Sequence, residues 1–204
     1  MITIIDYGVG NIRAFRNVYE RLNIPVKVAQ NTKDLVDTTR LILPGVGSFD
    51  YAMCQFNKSG MRDKVEEMVI NKEVPILGIC VGMQMLALNS EEGKLPGLGW
   101  IEGVVKQFDS KLIKFKTKLP HMGWNSISIK NENILLRQLD ENSKFYFLHS
   151  YYFECANSQN KLCETEYGIK YSSAVNKDNI YGVQFHPEKS HSNGVQLLLN
   201  FSRV

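Results

Sequence analysis

The first eighty residues carry four short, largely apolar runs with helical periodicity between them. Ile2–Ile5, Pro25–Ala29, Leu41–Leu43 and Val74–Ile79 read as strands that are apolar on both faces. After the first run, Ile12, Phe15, Val18, Tyr19 and Leu22 recur at helical spacing. Asn31 and Thr32 can cap a short helix that reaches Val36. Met61, Val65, Met68 and Val69 mark another helix after Gly60. Apolar strands alternating with helices predict a parallel sheet covered on both faces. From about Gly97 the pattern changes. Trp100–Phe108, Trp124–Ile129, Phe145–Phe153, Leu162–Tyr167, Lys170–Val175 and Ile180–Phe185 read as short strands. Asn157, Gly168 and Asp178-Asn179 supply turns between them. Ser192-Asn193-Gly194 precedes a closing helix with Val195, Leu198, Leu199 and Phe201 apolar. With no linker, repeat or low-complexity segment, residues 1–204 are expected to form one α/β domain. Its mostly parallel central sheet would be flanked by helices, with antiparallel additions in the second half.

Composition narrows the classes of function. The net charge is only +3, with 44% hydrophobic and 22% charged residues, which is ordinary for a soluble protein. No Lys/Arg block suggests nucleic-acid binding. The four lysines of Lys111–Lys118 are interrupted by Leu112, Ile113 and Phe115, and read as a solvated edge or loop. The N-terminus lacks the basic stretch of a signal peptide, and no apolar run is long enough for a membrane span. Cys54, Cys80, Cys155 and Cys163 contain no C-x-x-C pair and match no zinc spacing. Free thiols in the reducing cytoplasm are the expectation.

In a parallel sheet, active residues collect beyond the carboxyl ends of the strands. Gly8, Gly45 and Cys80 all lie at such ends. Gly8 and Gly10 begin a dinucleotide-like fingerprint, but Arg13 stands where its third glycine belongs, and a plain glycine-rich turn is the simpler reading. Cys80 is more telling. A buried strand ends there, Met83, Leu86 and Ala87 follow at helical spacing, and Gly78 and Gly82 flank the cysteine symmetrically. That is the G-x-nucleophile-x-G elbow with cysteine as nucleophile. A helix N-terminus favours the reactive thiolate. A buried core cysteine beside two unrelated glycines is the plain alternative.

A nucleophilic thiol needs a base, and the base needs an orienting group. Of four histidines, His186 is delivered by an apolar strand to His186-Pro187-Glu188. On an extended backbone, residues two apart point the same way, so Glu188 could hold one ring nitrogen while the other faces Cys80. That is a Cys-His-Glu version of the Ser-His-Asp arrangement. A surface His-Glu pair and a metal site of His186, Glu188 and His191 are the other readings. Acyl chemistry also needs oxyanion donors. The N–H of Val81 and the Pro44-Gly45-Val46-Gly47 loop are the candidates.

Gly78-Ile79-Cys80-Val81-Gly82-Met83-Gln84 together with His186-Pro187-Glu188 resembles the class I, or triad, glutamine amidotransferases. Pro44–Gly47, Pro120–Asn125, Phe145–Tyr151 and Gln184–Ser190 narrow the resemblance to the glutaminase subunits of imidazole glycerol phosphate synthases. The match runs from Asp6-Tyr7-Gly8 to the closing helix. It implies a flavodoxin-like fold and a catalytic Cys80, His186 and Glu188 that hydrolyse L-glutamine to glutamate and ammonia without metal or cofactor. It implies an oxyanion hole from the backbone of Val46 and Val81, with the Val46 peptide flipping to complete it. Gly47, Gln84, Ser150 and Tyr151 would hold glutamine. A (β/α)8-barrel cyclase would be the heterodimer partner, facing Asn11, Trp124, Tyr146 and Lys189. The partner would use the ammonia to make imidazole glycerol phosphate and an aminoimidazole carboxamide ribotide.

Related glutaminases serve other synthases, including ones that modify surface-polysaccharide sugars. The segment from Gly10 to Asn17, and Phe153, differ from the commonest histidine-pathway pattern. A non-catalytic regulatory protein on the same fold and a cysteine hydrolase or peptidase are readings of other classes.

Overall fold

A computed structural model describes residues 1–204. The four apolar runs form β1 (Ile2–Ile5), β2 (Val26–Ala29), β3 (Arg40–Gly45) and β4 (Ile76–Cys80). Between them run α1 (Ile12–Arg21), α2 (Phe49–Lys58) and α3 (Arg62–Glu66), the last continuing into a π-turn at Glu67–Asn71. A 3-10 turn, Thr32–Leu35, replaces the short helix expected before Val36, and the Asn31 side chain caps it. The second half contains α4 (Val81–Gln84), β5 (Asn89–Ser90), β6 (Gly103–Gln107), β7 (His121–Ser126) and β8 (Ser128–Ile129). It continues with β9 (Lys144–His149), β10 (Tyr151–Cys155), β11 (Lys161–Tyr167), β12 (Ile169–Lys177), β13 (Ile180–Val183) and α5 (His191–Phe201).

The main sheet runs β2-β1-β3-β4-β13-β12-β10-β6-β5, with β11 on β12 and β8 on β11. Strands β2, β1, β3, β4 and β13 are mutually parallel. β1, β4 and β13 are buried along their whole length, as a sheet covered on both faces requires. Beyond β13 the pairings of β12, β10, β11 and β6 are antiparallel. This is the predicted α/β architecture, with the carboxyl ends of β1, β3 and β4 side by side.

Five local expectations are corrected. No helix was expected between Phe49 and Gly60, yet α2 fills it. Phe49, Ala52, Met53 and Phe56 bury one face at i, i+3, i+4 and i+7. Its start signal is not local: Ser48 makes no capping bond, and Glu92 Oε2 accepts the Phe49 N–H at 2.8 Å. The run Phe145–Phe153 is two strands broken at Ser150. β9 pairs with β7 in a separate ribbon, while β10 joins the main sheet. The Trp124–Ile129 run begins at His121 and divides into β7 and β8, and strand within Trp100–Phe108 is confined to β6. The closing helix begins at His191, ahead of Gly194, which lies inside it. A Cβ at Gly194 would overlap the Pro187 carbonyl, so this glycine serves a close approach and not a helix start.

Candidate active site

Cys80 ends β4 and precedes the first residue of α4, with φ 57° and ψ −113°. A non-glycine residue in this region is strained, and the strain is held by backbone packing. A Cβ at Gly82 would overlap the Leu43 carbonyl, and one at Gly78 would lie 2.6 Å from the Gly82 oxygen. The two glycines let α4 press onto β3 and β4. Gly82→Ala is therefore expected to destabilise the fold by about 3 kcal/mol or more, read by urea unfolding. An unchanged midpoint would contradict this packing account. Gly10 has a comparable role, since its Cβ would lie 2.7 Å from Pro44. Gly8 and Gly10 both sit at positive φ, 86° and 106°, so the turn itself accounts for these glycines. The helix expected after Cys80 is only one turn long, so its dipole has little to contribute.

The charge beside the sulfur comes from His186. β13 lies parallel to β4 with Val183 opposite Ile79, so the chain leaving β13 emerges beside Cys80. Gln184 Nε2 is 3.8 Å from Cys80 Sγ. The His186 N–H donates to the Tyr146 carbonyl at 2.8 Å, and the Ser190 hydroxyl donates to the His186 carbonyl at 2.6 Å. His186 Nδ1 lies 3.0 Å from Glu188 Oε1. Both side chains are almost wholly buried, at 4% and 1% exposure. The sequence argument for this pair is corrected in one respect. The backbone is not extended through Glu188 but turns as a 3-10 segment, Pro187–Lys189, which folds the carboxylate back onto the ring.

Burial opposes a charge on His186, but the neighbouring Cys80 sulfur and the Glu188 carboxylate bonded to its Nδ1 favour one and push the ring up to about 10. The ring is held as an imidazolium. These interactions stabilise the fold fully below the ordinary value of 6.5 and are lost as pH rises through about 10. Cys80→Ala removes one partner, so NMR titration of His186 is expected to give a lower pKa in that variant. An unchanged value would mean that the sulfur does not hold the ring.

These groups open into a cavity of about 310 Å³, a size suited to a small molecule. Val46, Gly47, Cys80, Val81, Gln84, Ser150, Tyr151 and His186 line it, so the residues singled out for catalysis, oxyanion binding and glutamine binding share one space, with Glu188 behind His186. The Val81 N–H, first in its helix, has no intrahelical acceptor. Gln84 Nε2 donates to the Tyr151 carbonyl at 3.0 Å and to Gln184 Oε1 at 3.1 Å. Its Oε1 is thus the atom it can offer a ligand. Sequence reading missed Glu92, which also lines the cavity while holding the start of α2. No motif flags an acidic residue in a loop.

Lys189 lines the same cavity, with Nζ 5.8 Å from the Tyr146 ring centre. Trp124 meets the Tyr146 ring edge-on and stacks on His191 at 5.0 Å. His191 therefore stands against Trp124, and no metal-holding cluster of three His, Cys, Asp or Glu residues forms. Asn11 is exposed just before α1. Val46, Met122, Trp124 and Leu148 are large apolar side chains with 38–60% exposure, two of them on the cavity wall. All four cysteines are free, and no helix is long and apolar enough to cross a membrane.

The fold and this cysteine elbow define a class. The family model "Glutamine amidotransferase class-I" matches residues 3–203, and the chain belongs to that family. More particularly, it is similar to the imidazole glycerol phosphate synthase subunit HisH of Bdellovibrio bacteriovorus, at 52% identity over 100% of both chains. The HisH subunit of Leptospira borgpetersenii is 50% identical over 100% of both chains. HisH 2 of Methanococcus maripaludis is 46% identical over 98% of both. Among solved structures, a glutamine amidotransferase superimposes with a TM-score of 0.75 at 19% identity, covering 100% of this chain and 99% of the other. PurLQS from Thermotoga maritima gives 0.74 at 16% identity, covering 99% and 97%. At such identities these two speak for the fold alone.

Proposed function

We propose that this chain is the glutaminase subunit of an imidazole glycerol phosphate synthase, acting as one domain in the cytoplasm. The observation that carries this reading is the His186 ring, held 3.0 Å from Glu188 and sharing the wall of one cavity with Cys80. Cys80 attacks the side-chain carbonyl carbon of glutamine as the thiolate. His186 gives its proton to the leaving nitrogen, ammonia departs, and a glutamyl thioester remains on Cys80. Water adds to the thioester as His186 takes its proton, Cys80 leaves as the thiolate, and glutamate is released with the thiolate-imidazolium pair restored. Glu188 orients the ring.

The Val81 N–H and a flipped Val46 peptide receive the oxyanion. Gly47, Gln84, Ser150 and Tyr151 hold the substrate. Glu92 offers a carboxylate to its α-ammonium group. The partner is a (β/α)8-barrel cyclase seated on Asn11, Trp124, Tyr146 and Lys189, with the exposed apolar rim of Val46, Met122 and Leu148 continuing its footprint. Ammonia in water near neutral pH is mostly ammonium, which is not a nucleophile. Release into an enclosed path keeps it reactive. A subunit that completes its oxyanion hole only on docking also spares glutamine.

The test is reconstitution with the barrel synthase of the same organism. Completing one oxyanion donor is worth about 10²–10³ in rate, so glutamate formation should rise by about that factor on saturation. One imidazole glycerol phosphate should form per glutamate. Equal turnover by the lone chain and the complex would refute the gate. Activation only by a synthase acting on polysaccharide sugars would reassign the acceptor.

A further inference from the structure

Three buried side chains have no part in the chemistry above: His149 at the end of β9, which lines the cavity, and behind it His121 on β7 and Tyr171 on β12. Their surroundings fix where each proton sits. The amide of Asn125 is pinned at both atoms, because its Oδ1 accepts the Ser126 N–H at 2.8 Å and its Nδ2 donates to the Glu166 carbonyl at 3.0 Å. The second Nδ2 hydrogen is left for His121 Nε2, 3.3 Å away, which must accept. A neutral imidazole that accepts at Nε2 carries its proton on Nδ1.

His149 is fixed from the opposite end. Its Nδ1 lies 2.7 Å from the Tyr151 carbonyl, which can only accept, so Nδ1 holds the proton and Nε2 accepts. Tyr171 Oη stands 3.1 Å from His121 Nδ1 and 3.1 Å from His149 Nε2. The His121 Nδ1 proton is shared between Tyr171 Oη and His149 Nε2, which lies 3.2 Å away, and the Tyr171 hydroxyl donates to His149 Nε2. Burial keeps both rings neutral. It pushes His121 down to about 4, and with the neighbouring His121 it pushes His149 down to about 3.

The result is a one-way line of hydrogen bonds: Asn125 to His121, from His121 to Tyr171 and directly to His149, from Tyr171 to His149, and from His149 to the Tyr151 carbonyl. The last bond spans Ser150, where the chain leaves the β7–β9 ribbon and enters the main sheet. The same carbonyl accepts from Gln84. Its position therefore decides where three cavity residues stand.

We propose that His121, Tyr171 and His149 are positioning residues for glutamine binding, closing the corner around Ser150 and fixing the Tyr151 carbonyl on which Gln84 rests. This rests on the glutaminase reading above. The test is Tyr171→Phe in the complex with the barrel partner, a change that keeps the ring and removes only the hydroxyl. A neutral hydrogen bond of this kind is worth about a fivefold effect, so KM for glutamine should rise about fivefold while kcat stays within about twofold. Iodoacetamide labelling of Cys80 and ammonia-driven synthesis should be unchanged. His149→Asn, whose Nδ2 can occupy the place of Nδ1, should recover much of the KM lost in His149→Ala.

An unchanged KM in Tyr171→Phe would overturn the proposal. So would a fall in kcat and labelling rate without a change in KM, which is what general loosening produces. The wild-type protein supplies a second measurement. Nitrogen NMR should find both His121 and His149 neutral and protonated on Nδ1, and an Nε2-protonated ring at either position would overturn the line. A wild-type complex that makes no glutamate would refute the glutaminase reading instead, and the tautomers would still judge the line.

Discussion

Cys80→Ala is expected to lower glutamine-dependent synthesis by the complex at least about 10⁴-fold, the scale on which nucleophile removal acts in triad enzymes. Synthesis driven by added ammonium salts should persist at close to the wild-type rate. The alanine removes the atom that forms the thioester but leaves the elbow intact, because the tight contacts there belong to Gly78, Gly82 and the Leu43 carbonyl. Removing Sγ also frees Gln184 Nε2 from a long contact of 3.8 Å, a small change. Glutamate and imidazole glycerol phosphate are assayed separately with each nitrogen source. Loss of both activities would place Cys80 in assembly or folding and not in chemistry.

Glu188→Gln should lower glutamine turnover by about 10²–10⁴-fold, less than loss of the nucleophile, since the residue orients the base and does not react. The carboxylate is buried with Oε1 on His186 and with Oε2 lacking any partner. Its charge acts on the ring at hydrogen-bond distance. The amide keeps an oxygen for Nδ1 but loses the charge, and places a buried NH₂ where no acceptor stands. His186, held at about 10 by Cys80 and Glu188 together, must then titrate lower. The alkaline limb of the pH–rate profile, where the acid for leaving ammonia is lost, should move toward neutral pH. A profile that keeps its alkaline limb while the rate falls would mean that Glu188 does not tune the ring.

Much of this was legible in the sequence because the signals were local. The strands of the parallel half are short apolar runs bounded by turns. The elbow announces itself through Gly78 and Gly82, whose spacing is dictated by how closely a helix can approach two strands. His186 and Glu188 share one tripeptide. What stayed hidden depends on distant partners. The start of α2 is held by Glu92, and the same carboxylate faces the cavity, yet no local pattern connects position 92 with Phe49. The break at Ser150 is invisible because Phe147, His149, Tyr151 and Phe153 continue an alternation that suits either sheet. Neither His121 nor Tyr171 sits in a motif that reveals the other, since three separate strands bring them to His149. The source of charge at Cys80 was misjudged for a related reason. A helix that reads as several turns is a single one, and the imidazolium comes from the far end of the chain.

The most direct test of the central claim is to incubate the reconstituted complex with an electrophilic glutamine analogue and locate the adduct by mass spectrometry. Burial pushes Cys163 up to about 12 and also raises Cys155, so neither competes as a thiolate. The account predicts one adduct per chain, on Cys80, blocked by excess glutamine and absent in His186→Ala. Labelling of Cys54, Cys155 or Cys163 with Cys80 untouched would contradict it.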